Sequence, residues 1–255
     1  MIQMKQTKKY TRPYRLWTDY RLRHRSPRQI IRWALDTFGE RLVMTSAFGM
    51  NGVALIHMVY EEFREHGLDM TIPIIFVDTG YLFPETLETK QRIEAAYGCR
   101  VVTYYPALGK EEQAARYGPD LPHRDPDLCC RLRKVEPMQR AIAEHRPVAI
   151  LNGRACFQSS TRRTLPIIEW NYTPLRIHPL AHWSQEQVVD YVKSHHIPYN
   201  PLYDQGYLSI GCQPCTRPVK PGEPIRAGRW PGTGKSECGI WTTEYPTADW
   251  TVLRK

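Results

Sequence analysis

The sequence contains no run of about 18 apolar residues, the length needed for a membrane-spanning helix. Its N-terminus lacks the apolar segment of a secretory signal. It also lacks a Gly-x-x-x-x-Gly-Lys phosphate loop, so the chemistry of standard NTPases is not supported. We therefore expect a cytoplasmic protein without a membrane segment, whose seven cysteines stay reduced or bind metal rather than form disulfides.

Acidic residues are scarce in residues 1–28, which hold nine Lys/Arg and a single acid, Asp19. This segment carries +8 of the chain's net charge of +9. A basic arm of this kind either binds a polyanion such as nucleic acid or is a solvated tail with aromatic anchors. Because no nucleic-acid-binding motif accompanies the charge, we do not expect a nucleic-acid partner.

Apolar runs alternate with amphipathic helix patterns along most of the chain, which is long enough to bury a full core. This alternation predicts an α/β fold with a parallel sheet covered by helices on both faces. The expected strands are residues 41–47, 71–77, 100–105 and 147–151. Helices are expected at residues 27–38 and 53–63, after Pro84, and at residues 129–145. The last of these follows a loop expected over residues 118–127. A further helix is expected to begin at Ser184, which forms a capping box with Gln187.

Polar and glycine-containing segments follow three of the predicted strands, at the position where ligands bind in open α/β sheets. The first is the break at residues 48–52, which follows Ser46 and Ala47 at the end of the first strand and can hold phosphate or be an ordinary turn before a helix. The second is Asp78-Thr79-Gly80, whose aspartate either faces a ligand or caps a turn. The third contains Gly153 and the cations Arg162 and Arg163, which suit an anionic ligand or a solvated loop face.

Four cysteines lie in two pairs, Cys129-Cys130 and Cys212-Gln-Pro-Cys215, each beside basic residues. Thiolates are preferred ligands of zinc and of iron–sulfur clusters, so the two pairs could converge on one centre. The alternative is that some are buried thiols that pack as small apolar groups. Further along, Cys238 follows Lys235 among glycines and is either an exposed nucleophilic thiol or a stray cysteine of the tail.

Six motifs in a fixed order span residues 40–240 of the chain. They are Thr45-Ser-Ala-Phe-Gly-Met50, Val77-Asp-Thr-Gly-Tyr-Leu-Phe-Pro-Glu-Thr86, Cys129-Cys-Arg-Leu-Arg-Lys-Val-Glu-Pro137, Tyr199-Asn-Pro-Leu-Tyr-Asp-Gln-Gly-Tyr-Leu-Ser-Ile-Gly-Cys-Gln-Pro-Cys-Thr-Arg-Pro218, Gly228-Arg-Trp230 and Lys235-Ser-Glu-Cys-Gly239. In these motifs the chain resembles the assimilatory sulfonucleotide reductases, which reduce adenylylsulfate (APS) or phosphoadenylylsulfate (PAPS). The basic arm lies outside the match.

The resemblance implies an adenine-nucleotide alpha-hydrolase-like fold with a mobile C-terminal tail. We expect a basic arm at residues 1–28, a nucleotide-binding domain with the metal site at residues 29–220, and the tail at residues 221–255. The resemblance also implies that Cys238 attacks the sulfate sulfur, forms an S-sulfocysteine and releases AMP, after which thioredoxin or glutaredoxin frees sulfite. It further implies a [4Fe–4S] cluster on Cys129, Cys130, Cys212 and Cys215, and we expect a homo-oligomer.

The same resemblance assigns the substrate contacts. Lys134 would link cluster and substrate, and together with Arg162, Arg226 and Arg229 it would neutralise the phosphosulfate. The cluster-bearing branch prefers APS, whereas the loop at residues 45–50 is more like the loops of enzymes that accept PAPS. We therefore expect APS as the main substrate and leave dual use open. The residues expected to line the nucleotide pocket are Ser46, Ala47, Phe48, Asp78, Thr79, Gly80 and Gly153.

Two departures from the family pattern leave other functions open. Gly153-Arg-Ala-Cys-Phe-Gln-Ser159 replaces Gly-Leu-Arg-Arg-Asp-Gln-Ser, and Trp241 stands where the family has histidine. An altered anion contact would favour a related cluster-bearing enzyme with a different sulfur substrate. A metal-bearing nucleic-acid-binding protein is the alternative from another class, and it would lose its salt-sensitive binding when residues 1–28 are removed.

Overall fold

The computed structural model describes residues 11–172 and 174–241. Its strands are β1 (Leu42–Thr45), β2 (Ile74–Val77), β3 (Val101–Tyr104), β4 (Ala149–Asn152), β5 (Ile168–Glu169) and β6 (Leu175–Ile177). Its α-helices are α1 (Arg12–Leu22), α2 (Pro27–Phe38), α3 (Met50–Arg64), α4 (Pro84–Tyr97), α5 (Lys110–Tyr117), α6 (Leu121–Arg124), α7 (Pro126–Cys130), α8 (Glu136–His145) and α9 (Gln185–Ser194). A π-helical turn, Arg131–Val135, joins α7 to α8.

The six strands form one sheet in the order β3-β2-β1-β4-β6-β5. β1 is parallel to both β2 and β4, and β4 is parallel to β6. The hydrogen bonds from Ile74 N to Arg100 O and from Asp78 N to Tyr104 O advance in the same direction, as in a parallel pair of β2 and β3. β5 is antiparallel to β6. The predicted α/β fold is confirmed, and its sheet has an antiparallel edge strand that the sequence patterns did not indicate.

The described chain divides into two compact units. The first unit contains residues 11–76, 84–102, 146–172 and 174–201, and the second contains residues 77–83, 103–145 and 202–241. In the first unit, β1 and β4 are buried along their whole length, as is usual for interior parallel strands, and α3 packs against α2 and α9. The register pairs Thr45 with Asn152, so the segments that follow β1 and β4 leave the sheet side by side.

Residues 118–127, predicted as a loop, contain helical turns instead. α6 and α7 each have a proline in the first turn, where the missing N–H removes no intrahelical hydrogen bond. The Asp125 side chain accepts a hydrogen bond from Leu128 N at 2.9 Å and caps α7. The loop prediction was wrong because prolines that begin helices have the same local signature as prolines that break them.

Within the described part of the predicted basic arm, residues 12–22 form α1, and the last two residues of the arm begin α2. The Thr11 side chain caps α1 by accepting a hydrogen bond from Tyr14 N, and Trp170 Nε1 donates to Asp19 at 2.8 Å. No helix in the described ranges is long and apolar enough to cross a membrane. Residues 1–10 of the predicted arm and 242–255 of the predicted tail lie outside the described residues. The division into arm, domain and tail therefore stays a prediction.

Candidate active site

A buried group of thiols and one indole lies in the second unit. This cysteine–tryptophan cluster consists of Cys130, Cys212, Cys215 and Trp230, none of which is more than 6% exposed. The side chains packed against it are those of Tyr81, Leu82 and Cys238. The cluster therefore gathers thiols from both cysteine pairs and lies against the thiol that the sequence predicted as the nucleophile.

Backbone hydrogen bonds hold the second cysteine pair in place. Gln213 N donates to Tyr81 O at 2.7 Å, and Trp230 N donates to Cys215 O at 3.0 Å. Leu82 and Cys212 also form an isolated antiparallel bridge. Because these bonds join three segments that are far apart in sequence, the cluster depends on tertiary structure and not on the local spacing of its cysteines.

A buried arginine fixes the loop after β2. Arg133 donates to Gln113 Oε1 at 2.6 Å, to Thr79 O at 2.8 Å and to one further backbone carbonyl. Asp78 Oδ1 accepts a hydrogen bond from Gly80 N at 2.9 Å, which is the turn-forming role that the sequence left open. This loop geometry places the Thr79 hydroxyl at the cysteine–tryptophan cluster.

Lys134 is a buried cation beside two thiols of the cluster. Burial lowers the pKa of its ammonium group, but thiolate charge on Cys212 and Cys130 more than offsets this effect, and the net pKa is raised. Burial raises the pKa of Cys212, whereas Lys134 and the Thr79 hydroxyl, 3.2 Å from Cys212 Sγ, lower it, and the net pKa falls. Lys134 therefore favours the ionised form of Cys212, and an ionised Cys212 in turn favours the charged form of Lys134.

The four cysteines predicted to ligate a cluster are all buried, free thiols of the second unit. Burial raises the pKa of Cys129 to about 12 and that of Cys215 to about 11, with a further contribution from neighbouring thiols of the same set. Among the described residues, no three His, Cys, Asp or Glu side chains are arranged to hold a single metal ion. Four buried thiols are nevertheless the donor set of a [4Fe–4S] cluster, so the residues present fit that group in their chemistry.

Four cations surround the Trp230 ring. The guanidinium carbons of Arg229 and Arg226 lie 4.4 and 5.7 Å from the ring centroid, and the ammonium nitrogens of Lys235 and Lys134 lie 5.4 and 5.9 Å from it. A cation within about 6 Å of an indole is attracted by the negative face of the ring. Trp230 therefore offsets part of the repulsion among these groups, and positive charge is concentrated beside the candidate nucleophile.

Contacts of Lys235 and of Arg226 tie the segment that contains the candidate nucleophile to the rest of the second unit. Lys235 pairs with Asp127 of α7. Arg226 Nη2 donates to Ser236 O at 2.7 Å and lies 3.5 Å from Glu237 Oε2. These contacts come directly before Cys238 in the sequence, so they hold its half-buried thiol against the cluster.

In the first unit, the loop after β1 leads into α3 without a side-chain cap. Ser46 Oγ accepts a hydrogen bond from Phe48 N at 3.0 Å, and Phe48 has a left-handed backbone with a φ of 53°. Ala47, between them, is exposed. The first turn of α3 contains no acidic residue, so its backbone N–H groups and the positive end of its dipole suit an anion.

Gly153 follows β4 and touches the start of α3. A β-carbon at this position would lie 2.9 Å from Asn51 O, which is too close for any residue other than glycine. The loop after β1 and Gly153 are therefore neighbours at one end of the sheet. Arg162 lies in the 3₁₀ turn Ser160–Arg162, half-buried, and donates to the Gln158 side chain.

A half-buried carboxylate, Glu169, contacts the segment in which the sequence departs from the family pattern. Glu169 Oε2 lies 2.9 Å from Arg154 Nη1, 2.8 Å from His178 Nε2 and 3.7 Å from Arg176 Nη1. Burial lowers the pKa of His178 to about 4, although the neighbouring Glu169 carboxylate acts in the opposite direction. Arg154, which belongs to the altered segment of residues 153–159, is thus paired with the carboxylate of Glu169.

Comparison with known proteins identifies the family. The model of the phosphoadenosine phosphosulfate reductase domain matches residues 41–218, which is more than half of the chain. The chain belongs to this family. The predicted membership of the sulfonucleotide reductases is confirmed, and with it the prediction that the chain is a reductase enzyme.

Sulfonucleotide reductases from two bacteria are similar over most of the chain. The adenosine 5'-phosphosulfate reductase of Deinococcus radiodurans is 48% identical over 219 residues, which cover 86% of this chain and 82% of the relative. The adenosine 5'-phosphosulfate reductase of Streptomyces coelicolor is 44% identical over 214 residues, which cover 83% of this chain and 86% of the relative. The crystal structure of the PAPS reductase of Candida auris, a phosphate complex, has a TM-score of 0.71 and 33% identity and covers 81% of this chain and 98% of that one.

A more distant neighbour shares the fold alone. The FMN adenylyltransferase of Candida glabrata, in complex with FAD and inorganic pyrophosphate, has a TM-score of 0.56 at 14% identity and covers 89% of this chain and 80% of that one. The fold of this chain is thus also found in a protein that has a different name and little sequence identity to it.

The structure of this reductase places two further residues, to which the sequence patterns assigned no role, at the candidate site. Trp230 and Arg133 both lie in quoted motifs, but neither was given a role. Trp230 is 3% exposed and Arg133 is 2% exposed. The position of Arg133 directly before Lys134, a predicted substrate contact, was a signal in the sequence that Arg133 lies near the site. Its role in supporting the loop after β2 is visible only from its hydrogen bonds in the structure.

Proposed function

We propose that this sulfonucleotide reductase reduces APS to sulfite and AMP. The two bacterial relatives support APS as the substrate, because both bear the name adenosine 5'-phosphosulfate reductase. The single observation that carries the proposal is the position of Cys238, half-buried against the cysteine–tryptophan cluster, whose Trp230 ring has four cations within 5.9 Å of its centroid.

In the first step, the Cys238 thiolate attacks the sulfur atom of the sulfate group. A bond forms between the cysteine sulfur and the SO₃ group as the bond from that group to the bridging oxygen breaks, and AMP leaves with this oxygen. The thiolate is the nucleophilic form of cysteine. Lys134, Arg226 and Arg229 neutralise the charge on the phosphosulfate, and Arg162 is a further candidate for this role.

In the second step, a dithiol reductant releases sulfite. One of its thiolates attacks Cys238 sulfur, sulfite leaves, and the second thiol of the reductant resolves the mixed disulfide and restores the Cys238 thiolate. The dithiol loses two electrons, which are the electrons that convert the sulfate sulfur to sulfite. We expect thioredoxin or glutaredoxin in this role, because both carry a reducing dithiol.

Cys129, Cys130, Cys212 and Cys215 are the residues that would hold a [4Fe–4S] cluster. Their burial and their all-thiol composition support this assignment. When bound, such a cluster supplies a fixed, thiolate-ligated centre of charge in the buried core of the second unit. Lys134 links this centre to the substrate, since it pairs with Cys212 and also lies over the Trp230 ring.

PAPS is the second candidate substrate. The solved structure from Candida auris is a PAPS reductase, and the first turn of α3 contains no acidic residue that would repel an additional phosphate. The neutral side chain of Asn51 in that turn is compatible with either nucleotide.

Intact-protein mass spectrometry after anaerobic incubation with APS and no thiol reductant tests the proposal. We expect a gain of one SO₃ group and release of AMP from the holoenzyme. Cys238→Ser should show no gain, whereas Cys156→Ser, which removes another half-buried thiol, should react like the wild-type protein.

The same incubation with PAPS ranks the two substrates. An SO₃ adduct that persists in Cys238→Ser would show that another group is the nucleophile. If APS binds to the wild-type protein without forming an adduct, the reductase mechanism is refuted, and the segment around Arg154 becomes the place to look for different sulfur chemistry.

A further inference from the structure

Glu237, directly before Cys238, places a carboxylate beside a proposed substrate ligand. Its Oε2 lies 3.5 Å from Arg226 Nη2, and the two side chains are only 22% and 15% exposed. A guanidinium binds carboxylate, phosphate and sulfate through the same fork of N–H donors. The Glu237 carboxylate therefore occupies Arg226 by the chemistry with which a sulfonucleotide would bind it.

Arg226 also holds the backbone of the same segment. Its Nη2 donates to Ser236 O at 2.7 Å, and its Nη1 lies 3.4 Å from Ser209 Oγ. Because two consecutive residues before Cys238 both contact this guanidinium, a new partner for Arg226 must alter the hold on the segment that carries the nucleophile.

The negative charges of the Glu237 carboxylate and of the substrate's phosphosulfate repel each other. A carboxylate within a few ångströms of the phosphosulfate repels it, so Glu237 and the substrate cannot share Arg226 without loss of affinity. Another contact of this segment, between Lys235 and Asp127, does not involve Arg226, so a substrate that binds Arg226 does not compete with it.

We propose that Glu237 is a positioning residue that stands in for the substrate's anionic group. Its carboxylate holds Arg226 while no nucleotide is bound and gives up Arg226 to the sulfonucleotide on binding, which loosens the hold on Cys238 when its target arrives. The inference rests on the proposed function, in which Arg226 binds the phosphosulfate.

Calorimetric titration of the anaerobic holoenzyme with APS tests this exchange. The Cys238→Ser variant prevents turnover and serves as the reference for Cys238→Ser/Glu237→Gln. Removing a competing partly buried carboxylate should tighten APS binding about threefold to tenfold. Binding of adenosine, which carries no anionic group, should not change.

Asp127→Asn in the same background is the matched control. It weakens the contact with Lys235 and leaves Glu237 in place, so the Kd for APS should stay within about twofold of the reference. A second measurement uses proteins that retain Cys238, in the absence of nucleotide. Glu237→Gln should raise the rate at which iodoacetamide alkylates Cys238 by about threefold or more relative to the wild-type protein. Peptide mass spectrometry follows the alkylation.

Four outcomes would overturn the inference. An APS Kd that is unchanged or weaker in Glu237→Gln would show that the carboxylate does not compete at Arg226. Equal tightening in Asp127→Asn would show a general loosening of the segment. An unchanged alkylation rate would show that Glu237 does not hold the nucleophile. If the wild-type protein forms a normal SO₃ adduct and any of these three results is found, the inference alone is refuted. If APS does not bind at all, the proposed function and this inference are refuted together.

Discussion

Gly153→Ala tests whether the end of β4 and the start of α3 are as closely packed as the structure requires. The added β-carbon would lie 2.9 Å from Asn51 O, 3.0 Å from its carbonyl carbon and 3.2 Å from its Cβ. Two of these three atoms belong to the backbone of a buried helix, and β4 is paired on one side with β1 and on the other with β6. Neither element can move away without disturbing the core of the first unit.

Overpacking of this kind costs about 1–3 kcal/mol. In a chain of this size, that cost corresponds to a fall in Tm of about 2–12 °C. Urea unfolding measures it directly, because a stability change shifts the midpoint and leaves the slope m unaltered. We also expect weaker AMP binding, since the shift acts on the first turn of α3.

Gly234→Ala is the control for the glycine itself. A β-carbon there meets no atom within 4 Å, and its φ lies outside the left-handed range, so stability should change by no more than about 0.5 kcal/mol. If Gly153→Ala unfolds at the same urea concentration as the wild-type protein and binds AMP equally well, the close approach of Gly153 to Asn51 is refuted.

Two further predictions concern buried charge in the first unit. Glu169→Gln removes the carboxylate that faces Arg154, Arg176 and His178. Removing one partner of a buried ion pair costs about 3–5 kcal/mol, so the urea midpoint should fall strongly. A loss of stability below about 1 kcal/mol would contradict the role of Glu169. Burial lowers the pKa of both His178 and His57 to about 4 in the folded protein. The unfolded chain, whose histidines titrate near 6.5, therefore binds more protons between these values, and stability should fall as the pH drops from about 6.5 to about 4, by up to about 1.4 kcal/mol per pH unit for each histidine. Urea titrations at several pH values give the free energy of unfolding as a function of pH. Between about pH 4 and 6.5 this free energy should change less steeply with pH in His57→Gln than in the wild-type protein. An unchanged pH dependence would contradict the burial of His57 as a neutral ring.

Local chemistry made several structural elements predictable. The capping box of Ser184 and Gln187 begins α9, and apolar runs mark four of the six strands. Short strands such as β5 and β6 were missed because two or three residues are too few to display a period. Whether the chain forms a homo-oligomer stays a prediction, as do the roles of the site residues.

The order of its motifs was sufficient to identify this chain as a sulfonucleotide reductase, because each motif is a local string of residues that can be recognised without a fold. Tertiary structure alone decided that Lys134 pairs with Cys212, that Trp230 lies among four cations, and that Glu237 rests on Arg226. These arrangements join segments that are remote in sequence, and burial and electrostatic pairing act through distance in space. No periodicity or spacing along the chain carries that information.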